Sequence, residues 1–149
     1  MKAPRLFAGI DPGLGGAVGF VCERGNFHDV ADLPTLATTT GRRQIDFGAL
    51  AVLLDAMRPD FVLLERVGPR PGEGATGAFS FGVSYGGLLA VLATLRLPHD
   101  VIQPASWKRR RGSFSSSRRP SSTASRCWSC LRKARIFARA LLVTTKSSQ

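Results

Sequence analysis

The chain has 149 residues and a formal net charge of +11, which suits one domain with a substantial core. The charge is lopsided: residues 1–104 carry 9 Lys and Arg against 10 Asp and Glu, whereas residues 105–149 carry 12 Lys and Arg and no acid. Three cysteines exclude a disulfide framework, and neither a run of ~18 apolar residues nor a signal-peptide pattern is evident, so a cytosolic protein without a membrane span is expected.

Leu6 to Ile10 is a short apolar run of strand length that ends in Asp11-Pro12-Gly13. A second run, Ala17 to Cys22, follows almost at once, so the two are predicted to form a hairpin whose turn carries Gly13, Gly15 and Gly16. Glycines there bring the backbone close to whatever lies beside Asp11. A carboxylate at the end of a buried strand is placed either to hold a hard cation or simply to cap the turn. Cys22, in the second run, is expected to be a small core residue. Residues Asn26 to Ala31 are predicted to form a third strand, with His28 on its surface. Leu33 to Gln44 contains Pro34, three threonines and Gly41-Arg42-Arg43 and is expected to be a loop. Its arginines suit phosphate contacts, and equally ordinary surface charge.

Ile45 to Met57 has the 3.6-residue periodicity of an amphipathic helix, with Asp46 as its N-cap and Pro59 as its stop. Residues Asp60 to Glu65 then repeat the layout of Leu6 to Asp11, an apolar run ending in an acid. Such a continuous apolar strand belongs inside a parallel sheet. A strand–helix–strand crossover puts the Glu65 strand parallel to the Asp11 strand, and both acids then emerge at the carboxyl edge, where α/β sheets bind ligands. Two adjacent carboxylates repel unless a cation neutralises them, which favours Mg²⁺ or Mn²⁺ over a bare acid–base pair.

Gly68 to Gly77 is a Gly- and Pro-rich loop over that edge. Ala78 to Leu97 is predicted to be a helix in which Gly82, Ser84, Gly86 and Gly87 permit close packing on the sheet or on a DNA backbone. Of Phe79 and Phe81 at its start, at least one is expected in the core, while one is available as a base-stacking wedge. Asp100 to Gln103 is a fifth main strand, and Pro104 to Lys108 opens a further helix.

The series Gly9-Ile10-Asp11-Pro12-Gly13, Leu63-Leu64-Glu65, Gly72-Glu73-Gly74-Ala75-Thr76-Gly77-Ala78-Phe79-Ser80-Phe81-Gly82 and Pro104-Ala105-Ser106-Trp107-Lys108 resembles the RuvC-type Holliday-junction resolvases, in their shorter phage and prophage versions. The likeness spans residues 5–108. It implies an α/β, RNase H-like fold, a mixed five-stranded sheet flanked by helices, over a nuclease domain at residues 1–108. It also implies an endonuclease that cuts branched DNA with two Mg²⁺ or Mn²⁺ ions. Asp11 matches the first metal-binding, catalytic carboxylate, expected to touch both ions, and Glu65 the second, expected to hold one and orient the water. Such ions sit ~3.5–4 Å apart, one activating water and the other stabilising the leaving oxygen. The DNA contacts it implies fall on Arg42, Arg43, Arg70, Phe81 and Lys108. Resolvases of this type are similar to symmetric dimers, which suits a four-way junction, with the helix 78–97 as candidate interface.

The family takes two further acids from a C-terminal helix, and this sequence has no Asp or Glu after Asp100. Residues 109–149 instead form a Ser- and Arg-rich tail: a basic DNA-binding arm, a solvated tail without a role, or an out-of-frame product. Its Cys127-Trp128-Ser129-Cys130 lacks a second pair and a neighbouring His, so no zinc or redox role is expected. The chain is expected to be inactive or nearly so. Two other classes compete. One is a non-catalytic nucleic-acid binder working through its tail. The other is an actin- or sugar-kinase-like ATPase, which Asp-Pro-Gly also resembles but for which 149 residues leave no second nucleotide-binding domain.

Overall fold

The structure, a computed structural model, describes residues 4–24, 26–66, 68, 72 and 74–103. Strand β1 (Leu6–Ile10) and strand β2 (Ala17–Cys22) pair antiparallel with the predicted boundaries, and β3 (Phe27–Asp32) pairs antiparallel with β2. After β4 (Thr35–Ala37) and β5 (Arg43–Ile45) come α1 (Phe47–Met57), β6 (Phe61–Glu65), α2 (Ala75–Thr94) and β7 (His99–Ile102). The main sheet has the order β3-β2-β1-β6-β7, with β6 parallel to β1 and β7 parallel to β6. This is the mixed five-stranded sheet that the sequence predicts.

Strands β3 and β7 are each shifted by one residue from the sequence reading, and three further elements differ more. The expected loop at 33–44 contains a second small sheet, in which β4 and β5 pair antiparallel from Thr35↔Ile45 to Ala37↔Arg43. Its turn is closed by Thr38 N–H to Arg42 O at 2.7 Å and by Gly41 N–H to Thr38 O at 2.9 Å, with Gly41 at φ +75°. β-Branched threonines and a left-handed glycine are hairpin chemistry, which Pro34 and the lack of apolar alternation concealed. Helix α1 starts at Phe47 because Ile45 is spent as a buried strand residue; Asp46 is the N-cap as predicted, its Oδ1 accepting from Ala49 N–H at 2.9 Å. It ends at Arg58 in the left-handed conformation (φ 45°), directly before Pro59. Helix α2 starts three residues early, at Ala75, and ends at Thr94 rather than Leu97, since Gly74 caps it without any side-chain bond.

Alternation along the strands gives the sheet two different faces. Ala8, Ile10, Val18, Phe20, Val62 and Leu64 point one way and form one core with Leu50 and Leu54 of α1 and Leu88 and Leu92 of α2. Phe7, Val21 and Leu63 point the other way, with Phe61 and Ile102 beside them. Both described helices thus pack on the first face. Fully burying a Leu, Ile or Phe contributes about 1.5–3 kcal/mol, so the first face holds most of the stabilising apolar contact among the described residues. Cys22, expected in the core, is only half-buried at the end of β2.

Of the small residues in α2, only Gly87 serves close packing: a Cβ there would run into the Phe47 ring of α1, whereas Gly82 and Gly86 face open space. Neither Phe79 nor Phe81 enters the core. Phe79 is 74% exposed, and Phe81 is half-buried and stacked on Tyr85 at 6.2 Å between ring centroids. The expectation that no stretch is long and apolar enough for a membrane span is also corrected: α2 has 20 uncharged residues with a mean hydropathy of 1.4. Its scattered Gly, Ser and Thr broke the apolar run by eye. Leu88 and Leu92 nevertheless bind it to the sheet core.

The level of β1 against β6 is clasped at their amino ends. Asp60 Oδ2 accepts from Leu6 N–H at 2.7 Å, while Asp60 N–H donates to Leu6 O, also at 2.7 Å. We expect Asp60→Ala to cost about 1 kcal/mol, the worth of one such bond, and to lower Tm by about 5 °C in a domain of this size. Asp60→Asn keeps an oxygen acceptor and should lose less. An unchanged Tm in Asp60→Ala would show that the clasp does not hold the two strands level.

Candidate metal and nucleic-acid site

Counting from the clasp, Asp11 lies five residues beyond Leu6, and Glu65 lies five beyond Asp60. The register runs Phe7↔Phe61 through Ile10↔Leu64, so the next step sets Asp11 level with Glu65 on adjacent parallel strands. Asp11 N–H continues the β1–β2 ladder to Ala17 O at 3.0 Å, and Arg66 N–H continues the β6–β7 ladder to Ile102 O at 2.7 Å. By alternation both acids belong to the second face, in line with Phe7 and Leu63 and away from α1 and α2. Neighbouring strands run about 4.8 Å apart, which brings the two carboxyl groups within reach of a common ligand.

Glu65 is 7% exposed, the single buried charged side chain among the described residues, and Asp11 is half-buried. Asp11 leads directly into buried Pro12 and the exposed tip Gly13-Leu14-Gly15. Two carboxylates supply the hard oxygen donors that Mg²⁺ and Mn²⁺ take. No group of three or more His, Cys, Asp or Glu side chains among the described residues is placed to hold a metal. The two carboxylates suit a divalent ion and leave its remaining positions to other ligands.

The small β4–β5 sheet belongs to the same edge. β3 runs parallel to β1 and ends at Asp32, beside Ala17, and the next residue donates its amide, Leu33 N–H to Gly16 O at 3.0 Å. Arg42 and Arg43 are therefore carried on a hairpin that leaves the sheet at the edge where Asp11 and Glu65 end. Both are exposed, with Arg43 Nη2 donating to Thr35 Oγ1 at 2.7 Å. Phe81 has its ring stacked with Tyr85 at 6.2 Å between centroids, and Phe79, two residues nearer the start of α2, projects further into solvent. Sequence spacing put the two on opposite sides of the helix but gave no sign of which side faces the protein. Arg70 and Lys108 lie outside the described residues, as does the tail at 109–149 with Cys127 and Cys130.

No protein-family model matches the chain, and no curated protein sequence matches it. Among solved structures it is similar to Thermus thermophilus RuvC in complex with a Holliday junction substrate, with a TM-score of 0.55 and 19% identity, covering 91% of this chain and 96% of that one. A second Thermus thermophilus RuvC structure matches with a TM-score of 0.50 and 16% identity over the same shares. The fold is RNase H-like. The mixed five-stranded sheet is what the resemblance implied, and its order, β3-β2-β1-β6-β7, comes from the structure. At this identity the likeness speaks for the fold.

Burial raises the Tyr85 phenol above its ordinary value of 10.0, and the Arg66 guanidinium next to Glu65 opposes that shift. Tyr85 is the only tyrosine, so phenolate absorbance reads it alone. We expect a midpoint above the ordinary value in the folded protein and a return to it in urea. Since the folded form holds its proton more tightly, the associated stability is intact below pH 10 and is lost as pH rises through the folded value. Arg66→Ala should move the midpoint further up; a folded midpoint at the ordinary value would contradict the burial of this ring.

Proposed function

We propose that this chain is a RuvC-type, divalent-metal-dependent endodeoxyribonuclease for branched DNA in design, acting in the cytoplasm, whose present sequence has lost most of its cleavage activity. The observation that carries this reading is the level pairing of Asp11 and Glu65 at the carboxyl edge of an RNase H-like sheet. The structural neighbour solved with a Holliday junction supports branched DNA as the substrate class.

In this reading Asp11 and Glu65 hold Mg²⁺ or Mn²⁺. A bound ion would lower the pKa of a water molecule and polarise a phosphoryl oxygen. Asp11, at the rim of the glycine turn, would contact both ions, and Glu65, buried at the end of β6, would hold one of them. Arg42 and Arg43 bring charge to the phosphate backbone, where such contacts position DNA without reading sequence. Phe81 keeps the stacking role assigned to it, with one side of its ring toward Tyr85. The absence of any acid after Asp100 leaves the ion short of the two further carboxylates that the family uses.

The side of α2 that is exposed among the described residues supports a homodimer. Phe79, Val83, Gly86 and Ala90 recur at i, i+4, i+7 and i+11 on one exposed stripe, and small residues there allow a second helix to approach closely. Val83→Glu should convert a dimer to a monomer in sedimentation equilibrium; a wild-type monomer would refute the interface.

For activity, the expected outcome is junction binding without cleavage above an EDTA control. Binding should weaken steeply with salt and be unchanged in Asp11→Asn. Nicking of four-way junctions in Mg²⁺ that disappears in Asp11→Asn would refute the loss of activity while upholding the chemistry. Binding without any Mn²⁺-induced rise in Tm would favour the second reading, a nucleic-acid binder that relies on the 12 cationic residues of 105–149.

A further inference from the structure

We propose that Gly16 is the positioning residue of Asp11: its missing side chain is the space that the Asp11 peptide occupies. This rests on the reading of Asp11 as a metal-holding carboxylate, but the geometry is independent of it. A Cβ built on Gly16 would collide with the carbonyl oxygen of Asp11, and it would stand 2.8 Å from Gly13 O and 2.9 Å from the Asp11 carbonyl carbon. Real side chains do not tolerate backbone atoms at these separations, and no flexible side-chain tip is present to yield.

Gly16 is fixed from every other direction. Its N–H donates to Gly13 O at 2.8 Å, closing the turn, and its carbonyl accepts from Leu33 N–H at 3.0 Å, tying it to the end of β3. Its neighbour Ala17 accepts the Asp11 N–H at 3.0 Å. Gly16 is itself buried, so the collision cannot be relieved by swinging outward into solvent. Any side chain at 16 must therefore push the Asp11 peptide, and with it the level of the Asp11 carboxylate against Glu65. The constraint is steric and not conformational, because Gly16 does not have a positive φ.

The same turn contains its own control. Gly15, one residue earlier, is exposed, lacks a positive φ, and has nothing within 4 Å of the place where a Cβ would stand. Gly15→Ala and Gly16→Ala thus remove the same backbone freedom from the unfolded chain and differ only in what the methyl group meets.

The test compares wild type, Gly15→Ala, Gly16→Ala and Asp11→Asn in the full chain. Mn²⁺ affinity is measured by titration, and the backbone amide shifts of Asp11, Leu33 and Asp60 are compared by NMR. We expect Gly15→Ala to match wild type. Gly16→Ala should keep a folded circular-dichroism spectrum, lose at least about tenfold in Mn²⁺ affinity (a displaced ligand costs about 1.4 kcal/mol or more) and move the amide signals of Asp11 and Leu33, with Asp60 unmoved. Wild-type Mn²⁺ binding and unmoved Asp11 and Leu33 amides in Gly16→Ala would overturn the proposal. If the wild type binds no Mn²⁺, the metal reading of the site fails, and the Asp11 and Leu33 amides alone still decide the role of Gly16. Should Gly16→Ala not fold, amide exchange in the wild type decides instead. Asp11, Gly16 and Leu33 amides that exchange together with the β1–β2 ladder support the clamp; amides that exchange like an open loop refute it.

Discussion

The parallel pairing of β1 with β6 is the constraint on which the rest depends. Two strands 50 residues apart in sequence carry one acid each, and a functional pair exists only if they stop at the same height. A slip of one residue would turn one carboxylate to the opposite face, into the core against α1 and α2. The clasp between Asp60 and Leu6 sets the level at one end, and the parallel pairing from Phe7↔Phe61 to Ile10↔Leu64 carries it to the other. The apolar residues between them alternate strictly, so burial reinforces the same register.

The two faces of the sheet divide the labour. One carries the core made with α1 and α2, in which Gly87 admits the Phe47 ring and Leu88 and Leu92 complete the packing. The other carries Asp11 and Glu65 beside a smaller apolar cluster. The acids therefore stand clear of both described helices. The RuvC-type resemblance implies two more carboxylates from a C-terminal helix, and the sequence has no Asp or Glu after Asp100.

The glycine turn and the β4–β5 hairpin extend the edge beyond the main sheet. The turn presses its backbone against Asp11 through Gly16 and leaves Gly15 and Leu14 exposed at the tip. The hairpin delivers two exposed arginines from the end of β3. Electrostatic attraction of this sort is not specific to sequence, as the proposed phosphate contacts require.

Much of the fold was legible because it rests on local signals. Strands β1 and β2, the Asp46 cap, the stop at Pro59 and the acid-terminated repeat at β6 follow from periodicity and capping, and the parallel placement of the acids follows from crossover rules. The β4–β5 hairpin was hidden because three-residue strands lack a period to detect, and the early start of α2 because Gly74 caps without a side chain. Which phenylalanine projects, which glycine packs, and which side of α2 stays bare were decided only in three dimensions. Each depends on what lies opposite: Tyr85 beneath Phe81, Phe47 against Gly87, and the Asp11 carbonyl against Gly16. The sequence by itself determined the chemistry of the edge, two acids and no later ones. Tertiary structure decided their common height and face, because strand register is a long-range property that no local stretch contains.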